Sequence, residues 1–320
     1  MSALLEAKPL LVDLRQVRAE DLDALLEEEA ARWERELDWD FRPSADLVRR
    51  FVRMQALSGY VLAAGRKVVG YCYYVSEERK GLVGDLYVMK EWSRPEYEAQ
   101  LLTAALRAMF ATPDVKRVES QLMMLAEGAR EGMPFREWLQ PFRRNFMMAD
   151  LAGARDLPVG RAAVATNFER WHEREHEQGA RLIAKAYQGH VDAEINDQYR
   201  NVSGARRFLT NIVQYPGCGS FFQQGSYVAI DGVTGQLLGL SLASLVAFDV
   251  GHITQVCVDP AIRGTGVGYE LMRHCMRALA EAGCRRVSLT VTASNTGAIG
   301  LYERLGFRTH RSFDAIVWSS

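Results

Sequence analysis

The residues that could do chemistry gather near the C-terminal third of the chain. The run His252-Ile253-Thr254-Gln255-Val256-Cys257-Val258 reads as a strand and stops at Asp259-Pro260. Arg263-Gly264-Thr265-Gly266-Val267-Gly268 comes next, and then the helical pattern Tyr269-Glu270-Leu271-Met272-Arg273-His274. A strand, a Gly-rich turn and a helix N-terminus in that order make an anion cradle. Glycine lets backbone approach a ligand closely, and the first helical N–H groups lack partners within the helix and point outward. Arg263 would add a charge-assisted donor. A dinucleotide site would need G-x-G-x-x-G with an acidic residue about 20 positions on, and a nucleotide P-loop would need G-K-[ST]. Neither spacing is present. Taken alone, R-x-x-G-x-G also suits a turn that holds nothing.

A second segment bears on the first. Asn295-Thr296-Gly297-Ala298-Ile299-Gly300-Leu301-Tyr302-Glu303-Arg304-Leu305-Gly306-Phe307 reads as a short helix. Asn295 is a candidate N-cap, and Gly306 a candidate left-handed stop. Tyr302 lies inside the helix, where core packing would also explain it. Elsewhere, His172-Glu173-Arg174-Glu175-His176 matches H-E-x-x-H, the spacing by which one helix face can hold zinc. The extended zinc motif would want His at 182, where Leu182 stands, and the surrounding run is densely charged. It reads as a solvated helix face, and no metal is expected.

Taken together, the strand ending Val-Cys-Val-Asp-Pro, the R-x-x-G-x-G loop and the N-x-x-A-I-x-L-Y-E-x-L-G-F segment resemble the GNAT superfamily of acyl-CoA-dependent N-acetyltransferases. The resemblance spans about residues 163–320. It implies that acetyl-CoA is the cosubstrate and that acetyl passes directly to a primary amine on a small molecule or a peptide N-terminus. It further implies that Val256, Cys257 and Val258 hold the acetyl-pantetheine arm in a splay between two central strands. Arg263, Gly264, Thr265, Gly266, Val267 and Gly268 would hold the pyrophosphate, and Asn295 would face the cofactor. The backbone N–H of Val258 would serve the oxyanion, and Tyr302 would protonate the leaving thiolate. Many family members place a Glu base on this strand, and here that position falls on His252. Period two would put His252, Thr254, Val256 and Val258 on one face. Asp249 or water alone are alternatives for that base. Cys257, alternating away from His252, reads as core rather than nucleophile. A sensor or scaffold that keeps the cofactor site without turnover is the non-enzymatic alternative.

The elements that must position these residues occur twice. Arg49-Arg50-Phe51-Val52 recurs as Arg206-Arg207-Phe208-Leu209, Tyr60-Val61-Leu62-Ala63 as Tyr227-Val228-Ala229-Ile230, and Val68-Val69-Gly70 as Leu237-Leu238-Gly239. A repeat of this length means duplicated domains. Helical starts are expected from Val17 and from Thr166, with Asn167 as N-cap. The fold class is α/β (α+β): two tandem GNAT-like domains, each a mixed, mostly antiparallel sheet flanked by helices. The boundaries are residues 10–152, a Gly/Pro-containing linker 153–162, and 163–320. The first half resembles a worn copy of the second, the arrangement of tandem GNAT proteins. Aligning Arg94 with Arg263 puts Pro95, Glu96, Tyr97 and Glu98 in the cradle, where they remove a donor, add negative charge and block approach. Aligning Asn145 with Gly306 puts Pro141 in place of Tyr302.

The chain has 320 residues, Lys+Arg 39 against Asp+Glu 40, and a net charge of −1. The absence of a basic excess argues against a nucleic-acid partner. The five cysteines show no C-x-x-C, and the N-terminus lacks a signal-peptide pattern, so a reducing cytoplasm is expected. No apolar run approaches a membrane span. A monomer or homodimer is expected.

Overall fold

The computed structural model describes residues 8–77, 79–125, 132–160, 162–215 and 217–320. The chain forms two compact units, Met1–Phe142 with Phe313–Ser320, and Arg143–Ser312.

In the first unit, strands β1 (Leu10–Asp13), β2 (Ser58–Ala64), β3 (Lys67–Glu77) and β4 (Lys80–Val88) pair antiparallel in sequence order. Strand β5 (Arg117–Gln121) lies parallel to β4. Helices α1 (Asp23–Leu37) and α2 (Arg42–Arg53) precede β2, and α3 (Pro95–Phe110) crosses from β4 to β5. Leu101, Leu102, Ala105, Leu106 and Met109 of α3 are buried, at the i, i+4 spacing that turns one helix face onto a sheet. Each such leucine or methionine contributes about 1.5–3 kcal/mol.

Strand β6 (Leu139–Asp150) opens the second unit. Strands β7 (Thr166–Arg170), β8 (Ser220–Phe221), β9 (Tyr227–Asp231), β10 (Leu237–Ala247), β11 (Val250–Val258) and β12 (Arg286–Thr292) come after it along the chain. The pairings β7–β9, β9–β10 and β10–β11 are antiparallel, and β8 adds to β10. Strand β11 is parallel to β12, and β12 pairs antiparallel with residues 144–150 of β6. Helices α4 (His176–Ala186), α5 (Asp192–Ile195) and α6 (Val202–Gln214) come before β9. Helix α7 (Val267–Glu281) lies between β11 and β12, and α8 (Thr296–Arg304) precedes β13 (Arg308–Ser319). Met272, Cys275, Met276 and Leu279 of α7 pack with Leu289 and Phe307 on one face. Ala180 and Ile183 of α4 and Leu209 of α6 pack with Leu240 and Leu242 on the other.

Both halves are therefore mixed, mostly antiparallel sheets with helices, as the sequence implied. The division of the chain differs from a serial one. Residues 143–152 belong to the second unit, through the β6–β12 ladder, and 313–320 to the first, through pairing of Ala315–Ser319 with β5. Each unit thus takes a strand from the other half of the sequence. Within the expected linker, Pro158 and Gly160 are docked: Tyr269 donates to the Pro158 carbonyl at 2.9 Å, and the Gly160 N–H donates to the buried Glu270 carboxylate. Thr166–Arg170, expected to begin a helix, is an edge strand on β9, and α4 starts at His176. Asn145 is extended, opposite Val291, so it is no counterpart of the left-handed Gly306, whose φ is +91°. Pro141 likewise sits in a strand, not in a helix like Tyr302.

Candidate active site

Strands β11 and β12 pair only over Val250–Ile253 and Arg286–Leu289, although both continue further. Beyond Ile253 they part. The β10–β11 register slips between Leu242–Gln255 and Ala243–Ile253, which leaves Thr254 as a bulge residue. Its hydroxyl donates to the Leu242 carbonyl at 3.1 Å and closes the bulge. A bulge bends a strand and re-aims the residues beyond it. Here it frees the outer edge of β11. Val258 stands opposite Gly239, and the Asp259 N–H bonds the Leu238 carbonyl at 2.8 Å. That is the register of a non-hydrogen-bonded pair, so the Val258 N–H is directed away from β10, into the gap.

A cavity of about 520 Å³ occupies this gap. Val256, Cys257, Val258, Arg263, Gly264, Gly266, Gly268, Asn295 and Tyr302, all singled out in the sequence, line it. Gly264 and Gly266 take φ of +81° and +90°, conformations that cost most other residues about 1–2 kcal/mol. Gly266 is the N-cap of α7, and no side chain caps that helix, so its first-turn N–H groups face the cavity mouth. A Cβ on Gly264 would meet no protein atom within 4 Å. Thr265 and Val267 complete the loop with backbone only. The Thr265 hydroxyl donates to the Ile262 carbonyl at 2.7 Å, and Val267 is buried beside Leu271.

The Arg263 guanidinium donates at 2.6 Å to the carbonyl of Ala186, the last residue of α4, and Arg263 also lines the cavity. One assignment needs correction. His252 does not line the cavity. The bulge interrupts the alternation: Ile253 and Val256, three apart, pack against the same cluster, which removes His252 from the face of Val256. His252 is buried, its Nδ1 lies 2.9 Å from the Ser288 hydroxyl, and its ring stacks on Phe146 at 6.3 Å. Burial pulls its pKa down to about 4, so it is a neutral core residue.

Asn295 caps α8 by accepting the Ala298 N–H at 3.2 Å, and its amide nitrogen faces His190 Nε2 at 3.3 Å. Tyr302 packs its ring in the core near Phe307, with centroids 5.9 Å apart. Burial raises its phenol pKa above the ordinary value, so the hydroxyl is protonated at neutral pH. Burial likewise pushes the Cys257 thiol up to about 12, which leaves almost no thiolate at neutral pH. Cys257 is buried in the core cluster with Leu240 and Leu242.

The cavity is also lined by side chains the sequence did not single out: Tyr187, His190, Asp192, Tyr199, Gln255 and Arg144. Tyr187 and Tyr199 stack at 4.4 Å. The Gln255 amide nitrogen donates to the Tyr187 hydroxyl at 2.9 Å, and the Tyr199 hydroxyl donates to the Gln255 oxygen at 3.4 Å. Two tyrosines twelve residues apart in the loop region after α4 were the available signal. Arg144 had none, because it comes from the other half of the sequence.

The H-E-x-x-H run does not form one helix face. His172 precedes a short 3-10 turn, Glu173–Glu175, and His176 begins α4. The Glu175 carboxylate accepts the His172 N–H at 2.8 Å, and His176 Nε2 lies 3.3 Å from the Thr210 hydroxyl. Among the described residues, no three His, Cys, Asp or Glu side chains gather as a metal site.

A bulged strand, a splayed partner and a Gly-capped helix thus frame one cleft in the second unit. Residues 192–307 match the acetyltransferase (GNAT) family, so the chain carries a GNAT acetyltransferase domain. It is 42% identical over 57 residues to an N-alpha-acetyltransferase of Arabidopsis thaliana, covering 18% of this chain and 30% of that protein. It is 35% identical over 91 residues to a mycothiol acetyltransferase of Mycobacterium sp. (strain JLS), covering 27% and 30%. The matches thus span about 30% of the length of these curated relatives. A tandem GNAT protein from the clavulanic acid biosynthesis pathway superposes with TM-score 0.66 at 18% identity, over 97% of this chain and 98% of that one. That likeness shows the tandem GNAT fold. No helix among the described residues is long and apolar enough to cross a membrane.

Proposed function

We propose that the second unit binds acetyl-CoA in the gap between β11 and β12 and transfers its acetyl group to an amine. The observation that carries this reading is the junction of an uncapped α7 N-terminus, two left-handed glycines and a cavity that leads to Tyr302. The fit is chemical: backbone N–H groups suit a pyrophosphate, and the apolar gap suits a pantetheine arm. Acetyl-CoA supplies a thioester; the amine nitrogen bonds its carbonyl carbon, the C–S bond breaks, and an N-acetyl product and CoA thiol result.

The chain's own groups have three tasks. The first turn of α7, Gly264 and Gly266 hold the anion. The Val258 N–H, free of β10, donates to the carbonyl oxygen as negative charge develops, a contribution of a few kcal/mol. Tyr302, which lines the cavity, gives its proton to the departing sulfur. Neither His190 nor His252 is placed to take the amine proton. The His190 Nδ1 accepts the Asp192 N–H at 3.1 Å, its Nε2 faces Asn295, and His252 lies outside the cavity. The amine therefore reacts as its free base and releases its proton to water.

Release of CoA thiol, followed against a panel of primary amines, tests the reading. Acetyl-dependent turnover with at least one amine, together with its N-acetyl product by mass spectrometry, is expected. Tight acetyl-CoA binding with no release for any amine would favour a sensor.

A further inference from the structure

The cavity is lined by a buried pair of opposite charges, Arg144 and Asp192. Arg144, from β6, has its Nε buried with no hydrogen-bond partner. Its Nη2 donates to the Thr290 carbonyl at a long 3.4 Å, and its Nη1 lies 3.7 Å from Asp192 Oδ1, too far for a hydrogen bond. These two side chains are only 11% and 13% exposed. Asp192 accepts from the Thr292 hydroxyl, and its other oxygen lies 3.9 Å from His190 Nδ1. By contrast, Gln255, Tyr187 and Tyr199 satisfy one another. Burying a charge pair without tight hydrogen bonds is costly, and a ligand that completes both sets of bonds recovers that cost.

We infer that the acceptor is a small amine bearing its own carboxylate, with the carboxylate held by Arg144 and the ammonium form of the amine by Asp192. This rests on the acetyl-transfer reading. A carboxylate matches the planar guanidinium fork. A phosphate, with up to two charges, would be repelled by Asp192, whereas a zwitterion places its own cation there. The stacked tyrosine rings offer an apolar wall for the acceptor's remaining carbons.

The test is calorimetric titration, with and without saturating CoA, of the standard amino acids, their carboxamides, the matching decarboxylated amines and phosphoethanolamine. At least one free amino acid should bind, and its amide and decarboxylated partners should bind about 10–100-fold more weakly. Failure of every amino acid to bind, equal binding of acid and amide, or stronger binding of phosphoethanolamine overturns the inference. In Arg144→Gln the acid-to-amide affinity ratio should collapse towards one, and Arg144→Lys should restore part of it. Equal loss of acid and amide affinity in a folded Arg144→Gln would make Arg144 merely structural and overturn the assignment. Should the variant not fold, the wild-type panel decides alone. Acetyl-CoA affinity, measured separately, reports on the transfer reading and not on the Arg144–Asp192 pair.

Discussion

The two units build the same bulge and use it differently. In the first, β4 pairs with β5 over Lys80–Val83 and Arg117–Ser120, as β11 pairs with β12 over Val250–Ile253 and Arg286–Leu289. The first unit's slip falls between Tyr73–Asp85 and Tyr74–Val83, which leaves Gly84 where the second has Thr254. Past this point they diverge. A Cβ on Gly84 would lie 2.1 Å from the Tyr73 ring, so that ring covers the bulge. Asp85 takes the place of Gln255. The Tyr71 hydroxyl bridges Asp85 at 2.9 Å and Glu29 of α1 at 3.0 Å. The loop from β4 to α3 has six residues, 89–94, where the loop from β11 to α7 has eight, 259–266. Arg94, at φ −142°, caps α3 where Gly266, at φ +90°, caps α7, and Pro95 removes a first-turn donor. This helix-start register shifts the counterpart of Gly266 from Tyr97 to Arg94. Strand pairing and bulge therefore belong to the fold, whereas the cradle is a separable feature of one loop.

The largest expected effect breaks that loop. Gly266→Glu combines left-handed strain of about 1–2 kcal/mol with the loss of charge-assisted hydrogen bonds worth about 1.5–3 kcal/mol each. Acetyl-CoA affinity should fall by roughly 10³-fold or more, while Arg94→Glu, the matching change in the first unit, should leave it nearly unaltered. Next, Tyr302→Phe should lower kcat by about 10–10³-fold with little change in acetyl-CoA affinity, since the hydroxyl matters when the thiolate leaves. An unchanged kcat with chemistry rate-limiting would remove Tyr302 from the mechanism.

Third, the units should respond to pH with opposite signs. The folded pKa of His252, about 4, lies below its unfolded value of 6.5. The unfolded state therefore binds the extra proton between these values, and stability in the second unit is lost as pH falls from about 6.5 to 4. The loss approaches about 3 kcal/mol, and His252→Gln should flatten it. In the first unit, burial and the Asp85 charge hold Glu29 well above its usual range, and burial raises Asp85. That pair favours the protonated form, so its contribution is full at low pH and declines as pH rises through the raised folded values. Glu29→Gln should remove that slope. Hydrogen exchange, resolved by unit across pH, checks both signs. Smallest of all, His172→Ala and EDTA should each leave turnover within about two-fold, as expected of surface substitutions. Tightly bound zinc by metal analysis would contradict this.

What the sequence disclosed was contiguous. Arg263–Gly268 and Asn295–Phe307 were legible because each motif folds within its own strand, turn or helix, and the cavity gathers both. His252 was misplaced because counting by twos cannot see a bulge; Thr254 carries no residue-type signal for one. The strand exchange of 143–150 and 313–319 was hidden because hydrophobic alternation does not name a strand's partner. Arg144 and Asp192 escaped for the same reason: 48 residues apart in sequence, they meet only through the tertiary fold. Thr166–Arg170 looked helical through its charged, N-cap-like surroundings, and pairing with β9 overrode that local preference.

Binding of the cofactor by one unit alone is tested most directly by calorimetric titration of the intact chain with acetyl-CoA. One acetyl-CoA per chain is expected in the wild type and none measurable in Gly266→Glu. Two equivalent sites, or a single site that survives Gly266→Glu with its affinity intact, would contradict it.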